Sequence, residues 1–385
     1  MKKLDFIYNW RTLLCTTIGV LLAGCGAKDN TPKPAALVNF TPAASVTQVW
    51  STSTGKGNNS KFLKLDASYD NGVIYTADNV GHITATNAQN GNQLWQINTR
   101  APITAGPTAS NGIVVVGTDD AHVISVSEQD GHLVWNQTIS SIVLASPTVY
   151  QSNVLVKSVD GKLVNLDSST GKQLWSFSQE VPSLILRGSS SATVDNNAVY
   201  IGFANGTLAS LTLDTGNTNW TQAIATAQGY NDIENMIDID VKPIVKDGIV
   251  YTTTYQGNVA ALNAITGTVL WQHPFSSYTG IATDAQSVYS GDAKSHIWAF
   301  DQNTGGILWH QDTLSWRNIT GPVVMKNTIV VGDMEGFLHW LSTKDGQFVV
   351  RTDVGDPILA TPIVVNNILY VFTAKGNLAA YQLNG

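Results

Sequence analysis

Residues 160–175, DGKLVNLDSSTGKQLW, show the pattern of apolar and polar positions on which most of the chain is written. A polar turn at Asp160 and Gly161 leads into apolar positions at Leu163, Val164 and Leu166. A second polar turn follows, ending in Thr170 and Gly171, and a last segment closes on Trp175. Short apolar runs bounded by Asp, Gly, Asn and Thr predict brief β-strands rather than helices. The Gly/Trp spacing recurs at Gly91/Trp95, Gly131/Trp135, Gly171/Trp175, Gly216/Trp220, Gly267/Trp271 and Gly305/Trp309. A period of roughly 40 to 50 residues is the mark of a repeat architecture.

Between these pairs lie stretches such as GVIYTADNVGHITAT (residues 72–86) and GIVYTTTYQGNVAAL (residues 248–262). Each unit then reads as four short strands separated by turn residues, which fits a propeller blade better than a solenoid coil. The second-strand signal occurs at Val73, Val114, Val154, Val199, Val250, Val288, Ile329 and Leu369, predicting eight blades. In the seventh unit Val350 stands where Trp is expected, and the eighth ends at Gly385 before a fourth strand. Residues 46–50 (VTQVW) repeat the outer-strand pattern ahead of the first unit. The prediction is therefore an all-β, eight-bladed β-propeller over residues 45–385 with four-stranded blades, its last blade closed by the N-terminal strand. Such closure removes the open edges that invite aggregation. The repeated Trp residues are expected to pack between blades, each burying on the order of 200 Å².

Composition agrees: 43% hydrophobic and 13% charged residues support a large core but few charge-laced helices. The formal charge of −7 argues against a nucleic-acid partner. The N-terminus changes the picture. Residues 1–24 combine a basic start (Lys2, Lys3, Arg11) with an apolar core too short to span a bilayer, and they run into Leu22-Ala23-Gly24-Cys25. Small residues directly before a cysteine resemble the lipobox of bacterial lipoproteins, which implies lipidation at Cys25 and removal of residues 1–24. The plainer reading is a secretory signal with an incidental cysteine. Acylation of that kind supplies enough buried hydrocarbon for stable anchoring. Gly26, where inner-membrane lipoproteins carry Asp, favours the outer membrane, periplasmic face. Residues 25–44, polar and containing Pro32, Pro34 and Pro42, are expected to form a flexible lipidated tether. Cys15 lies within the removed segment, so no disulfide framework or thiolate metal site is expected.

The repeats resemble the quinoprotein-like propellers. The lipobox, LILRG (residues 184–188), DIDVKPIV (residues 238–245) and VVGDMEGFLHWL (residues 330–341) narrow the resemblance to the BamB family, lipoproteins of the outer-membrane β-barrel assembly (BAM) machinery. It covers the chain from the signal to the last blade. It implies a non-catalytic scaffold docked on the periplasmic POTRA domains of BamA alongside other BAM subunits. It also implies Leu184, Leu186, Arg187, Asp238 and Asp240 as the partner-binding residues, since both their patterns are intact here. Positioning of the POTRA domains, or exposed strand edges offered to unfolded outer-membrane precursors by β-augmentation, is the mechanism expected to follow from such docking.

The spacing of the units points to the same place. Most links from a unit's closing residue to the next unit's Pro position span 10 to 13 residues, but Trp175 to Ala192 spans 17 and Trp220 to Pro243 spans 23. These enlarged links are consecutive and lie on one face, where insertions tend to mark binding surfaces. The entry from Trp50 to Ala67 is also 17, so length alone leaves the site open. The plainer alternative has Leu184 and Leu186 beginning an inner strand, with Arg187 paired internally.

Two other functions stand as alternatives: a quinone- and Ca²⁺-dependent dehydrogenase, and an envelope lipoprotein binding a glycan or another ligand in the channel. The acidic residues fall mostly in turns, as in Asp70-Asn71-Gly72 and Asp160-Gly161, where turn chemistry explains them. His82, His122 and His296 share one repeat position but belong to units one, two and six, too dispersed to converge on a metal. No phosphate loop, HExxH or GxSxG motif is present. Neither a cofactor nor a catalytic or metal site is expected.

Overall fold

In a computed structural model the described residues are 31–186 and 190–385, and they carry thirty-two strands arranged as eight four-stranded antiparallel sheets. This is the eight-bladed propeller expected from the repeats. Seven blades are meanders of consecutive strands. The eighth takes three strands from the C-terminus (Ile363–Val365, Ile368–Phe372, Asn377–Asn384) and its outermost strand, Ser45–Ser53, from the N-terminus. The closing register runs from Ser45 opposite Asn384 to Ser53 opposite Asn377, with a bulge between Gln48 and Trp50.

Burial follows strand rank within a blade. Second strands such as Ile113–Thr118 and Asn153–Lys157 are buried throughout, whereas outermost strands such as Gln173–Ser178 alternate. The core lies between blades: Ile74 and Ile83 of blade one pack with Val114 and Val116 of blade two and with Tyr370 and Leu378 of blade eight. Continuous apolar second strands are thus the sequence trace of sheets covered on both faces.

The Trp/Gly signature is a contact from one blade to the next. The indole N–H of Trp175 donates to the carbonyl of Leu213 at 2.7 Å, and that of Trp220 to the carbonyl of Ala264 at 3.0 Å. Each ring rests on the glycine of the next blade's turn: a Cβ on Gly216 would stand 2.6 Å from Trp175, and one on Gly267 2.5 Å from Trp220. Those glycines also hold φ of +70° and +72°, so glycine is required twice over. Trp50 bridges blade eight to blade one in the same way, donating to the carbonyl of Ala88 at 3.0 Å. Val350 replaces Trp because blade eight has no such turn to receive it. There the chain is interrupted, and Gly385 lies against Ala44.

Residues 34–44, expected as part of a flexible tether, are packed on the blades. Pro34 to Ala44 belongs to the same compact unit as the blades. Its backbone is bonded to blade seven and to the link entering it, through Ala35 N–H to the Ser315 carbonyl (2.9 Å) and Ala43 N–H to the Val349 carbonyl (2.9 Å). Proline content and missing periodicity described the segment correctly as non-strand but did not reveal that it is seated. Cys25 and the expected signal peptide, residues 1–24, lie outside the described residues.

Candidate partner-binding site

The links joining each outer strand to the next blade's inner strand share one face with the turns between second and third strands. On that face the two enlarged links meet. In the first, residues 181–186 form no strand, and the inner strand of blade four begins only at Thr193. Leu184 is 40% exposed and Leu186 half-buried. Arg187 lies outside the described residues. In the second link Ile237, Asp238 and Ile239 are buried, and Ile239 donates its N–H to the Phe203 carbonyl at 3.2 Å.

One bond ties the links together. The backbone N–H of Leu186 donates to Oδ2 of Asp238 at 2.5 Å, while the Asp238 carbonyl accepts the N–H of Tyr255 at 2.8 Å. Asp238 is 1% exposed, so its carboxylate is not a surface contact; it fixes the loop that carries Leu184. Oδ1 has no hydrogen-bond partner. Burial, reinforced by the negative charge of Asp240, pushes the Asp238 carboxyl up to about 7, against the pull of the Leu186 N–H and Lys157.

Behind the loops, charges of alternating sign interact in a row: Lys242, Asp66, Lys64, Asp240, Lys157 and Asp238. Lys157 is buried, donates to the Gly202 carbonyl at 2.6 Å and stands 5.1 Å from the Phe203 ring centre. Burial lowers its ammonium to about 8, with Asp240 and Asp238 opposing. Lys64 and Lys242 are exposed, and desolvation by neighbouring segments of the chain lowers both ammonium groups, with Asp240 and Asp66 opposing for Lys64 and Asp66 for Lys242. Asp66 and Asp240 are raised by it, offset by Ser146 and the lysines for Asp66 and by Lys157 and Lys64 for Asp240. Lys64 reaches from blade one to donate to the Tyr278 carbonyl at the blade-six entry, at 2.9 Å. Ser146 of blade three donates to Asp66 at 2.6 Å. A narrow cleft lined by Lys157, Val181, Ile185, Phe203 and Asp240 lies under the Leu184 loop.

Sequence reasoning missed three residues here. Tyr230 is fully exposed and Ile233 is 64% exposed, on a turn braced by Gly229 N–H to Asn235 Oδ1 (2.7 Å) and Tyr230 N–H to Glu234 Oε2 (2.8 Å). Gln256 of the neighbouring turn donates to the Ile233 carbonyl at 3.1 Å. Two large side chains are thus held outward by an ordered turn rather than packed in the fold. The third is Lys157, whose equivalents in blades four to seven are Gly202, Thr253, Gly291 and Gly332. A lone charge at the end of an otherwise buried strand was the available signal.

The three repeat-equivalent histidines stay apart. His82 pairs with Asp78 and His296 with Asp292, each at 2.8 Å, and His122 lies beside Asp120. Among the described residues no three His, Cys, Asp or Glu side chains are grouped as metal ligands.

Comparison with known proteins was made by sequence and by structure. The family model described as "Outer membrane protein assembly factor BamB" matches residues 42–133, 79–311 and 293–385. A protein of that name from Alkalilimnicola ehrlichii is 46% identical over 376 residues, covering 97% of both chains. The one from Legionella pneumophila is 41% identical, covering 94% of both, and that of Escherichia coli K12 is 32% identical, covering 93% of this chain and 95% of the relative. The crystal structure of BamB from Moraxella catarrhalis superposes with a TM-score of 0.82 at 27% identity, covering 88% of this chain and all of the other. The quinohemoprotein alcohol dehydrogenase of Comamonas testosteroni, with a TM-score of 0.68 at 13% identity over 87% of this chain and 76% of its own, shares the fold alone.

Proposed function

Since this chain belongs to the outer membrane protein assembly factor BamB family, we propose that it is a non-catalytic lipoprotein scaffold of the β-barrel assembly machinery, docking on the POTRA domains of BamA. The observation that carries the reading is the union of the two enlarged links by the Leu186–Asp238 bond, with Leu184, Tyr230 and Ile233 turned outward beside them. Lipidation at Cys25 places the scaffold on the periplasmic face of the outer membrane. Arg187 adds a cation able to pair across an interface.

Retention of the BamA periplasmic domains by immobilised protein tests this. Leu184→Ser, Arg187→Ala and Tyr230→Ala should each weaken binding by about 2 kcal/mol, roughly thirtyfold in affinity, with unchanged melting temperature. Equal retention by all three would remove the site, and no retention by the intact protein would remove the function.

A second contact, with extended client segments, is favoured by the outer strands, which form the free edge of each blade. They leave Leu94, Leu133, Leu174, Leu270 and Leu308 all more than half exposed. Leu174→Lys with Leu270→Lys should reduce crosslinking of an unfolded outer-membrane precursor while sparing BamA retention. Unaltered precursor crosslinking would dismiss this contact.

A further inference from the structure

The segment preceding blade eight's outer strand occupies a built seat. From Ala44, beside the C-terminal Gly385, it runs back along the outer strand of blade seven, Phe348–Asp353, towards the face that carries the links. Phe40 stacks on Phe348 with ring centres 5.3 Å apart, and the Arg351 guanidinium lies 5.1 Å from both rings. Nη1 of Arg351 donates to the Val38 carbonyl at 3.0 Å. Nη1 of Arg317 donates to the Ala35 carbonyl at 2.9 Å, and the N–H of Ala35 to the Ser315 carbonyl at 2.9 Å.

Both arginines are held from behind. Arg317, only 5% exposed, donates through Nε to Asp333 Oδ2 at 2.6 Å. Arg351 donates through Nε to Nδ1 of His339 at 3.1 Å, and Nε2 of His339 bonds the same Asp333 oxygen at 2.8 Å. With Nδ1 accepting, the histidine proton is assigned to Nε2. Burial, with both arginines adding to it, keeps His339 neutral by lowering it below the ordinary histidine range. Two cations are thus positioned to grip carbonyls of an extended chain.

We propose that this seat is an intramolecular binding site for residues 35–43, which fixes where the chain leaves the propeller. The exit lies at the entry to blade seven, on the face that carries Leu184, Tyr230 and Ile233. Pro34 is the ninth residue after Cys25, and even a fully extended chain over those nine steps reaches only about 30 Å. Resting on the reading of Cys25 as the lipid anchor, the seat therefore turns the link face, not the opposite one, towards a phospholipid surface. Released, the tether would extend to Ala44 and reach about 65 Å.

The test uses the full-length lipidated protein, whose mature chain has no thiol besides Cys25. Single labels are introduced by Glu335→Cys on the link face or Lys344→Cys on the opposite face of the same blade, both exposed positions. In vesicles of phosphatidylethanolamine and phosphatidylglycerol carrying an acceptor lipid, energy transfer should be stronger from position 335 than from 344. Phe40→Ala should narrow that gap and, in solution, abolish hydrogen-exchange protection of the Ala35 and Ala43 amides. Equal transfer from both faces of the intact protein, or unprotected amides, would overturn the seat. Vesicle association by Cys25→Ser would instead overturn the anchor reading, leaving the amide protection to report on the seat alone.

Discussion

Asp333→Ala should destabilise the propeller by about 3–5 kcal/mol, the cost of leaving a buried cation without its counter-charge. Asp333 is fully buried and receives Arg317, His339 and the N–H of Phe337. Burial alone would raise its carboxyl, but the bonds from His339, Phe337 and Arg317 outweigh this and hold it below the usual carboxylate range. A depressed native pKa contributes stability above the unfolded value near 4 that is lost as pH falls through the native one. Guanidinium denaturation should show the drop at neutral pH, and the variant's stability should depend less steeply on acid. Arg317→Met combined with Asp333→Leu should recover much of the loss, because an apolar pair carries no desolvation penalty. A single variant as stable as the parent would show that the network is not a structural pillar.

The second large effect concerns Asp238. Asp238→Ala removes the acceptor of the Leu186 N–H and should cost about 1–3 kcal/mol locally, freeing the Leu184 loop and weakening BamA retention along with it. Asp238→Asn keeps an oxygen in the same place and should retain binding. The pH dependence separates charge from geometry. With the native carboxyl raised to about 7 beside Asp240 and Lys157, the folded state holds a proton the unfolded chain has released. Stability from this group is present below pH 4 and lost as pH rises through 7. Thermal melts of the parent should fall between pH 5 and 8 by more than those of Asp238→Asn. Identical profiles, or full binding by Asp238→Ala, would refute the positioning role.

Blade number and closure were legible because the physics that fixes them is periodic. Trp95, Trp135, Trp175 and their equivalents recur with their glycines since each pair is one contact, and Val350 breaks the series where a receiving turn is missing. Two longer links mark the proposed site because insertions disturb the period. What stayed hidden depends on contacts across the ring. Asp238 reads as a surface acid until Leu186 is seen to donate to it, and Lys157 reads as a strand end until Gly202 lies beside it. Tyr230 and Ile233 stand in a polar run, where no pattern distinguishes a braced, outward side chain from an idle one. Residues 35–43 have no strand period because their partners are arginines supplied some 280 to 313 positions later.

The closing of blade eight also sets an order of events. Among the described residues Ser45–Ser53 is the first strand in chain order, and its partner, Asn377–Asn384, is the last. Chains grow from the N-terminus, so this strand waits unpaired until Asn377–Asn384 has been made, and pairing of such high sequence separation is slow. Its bulge and its Ser-, Thr- and Gln-rich outer surface keep that waiting edge from recruiting another chain. Without Asn377–Asn384 nothing joins Ile368–Phe372 to Ser45–Ser53, so closure of the ring rests on one pairing between distant parts of the chain.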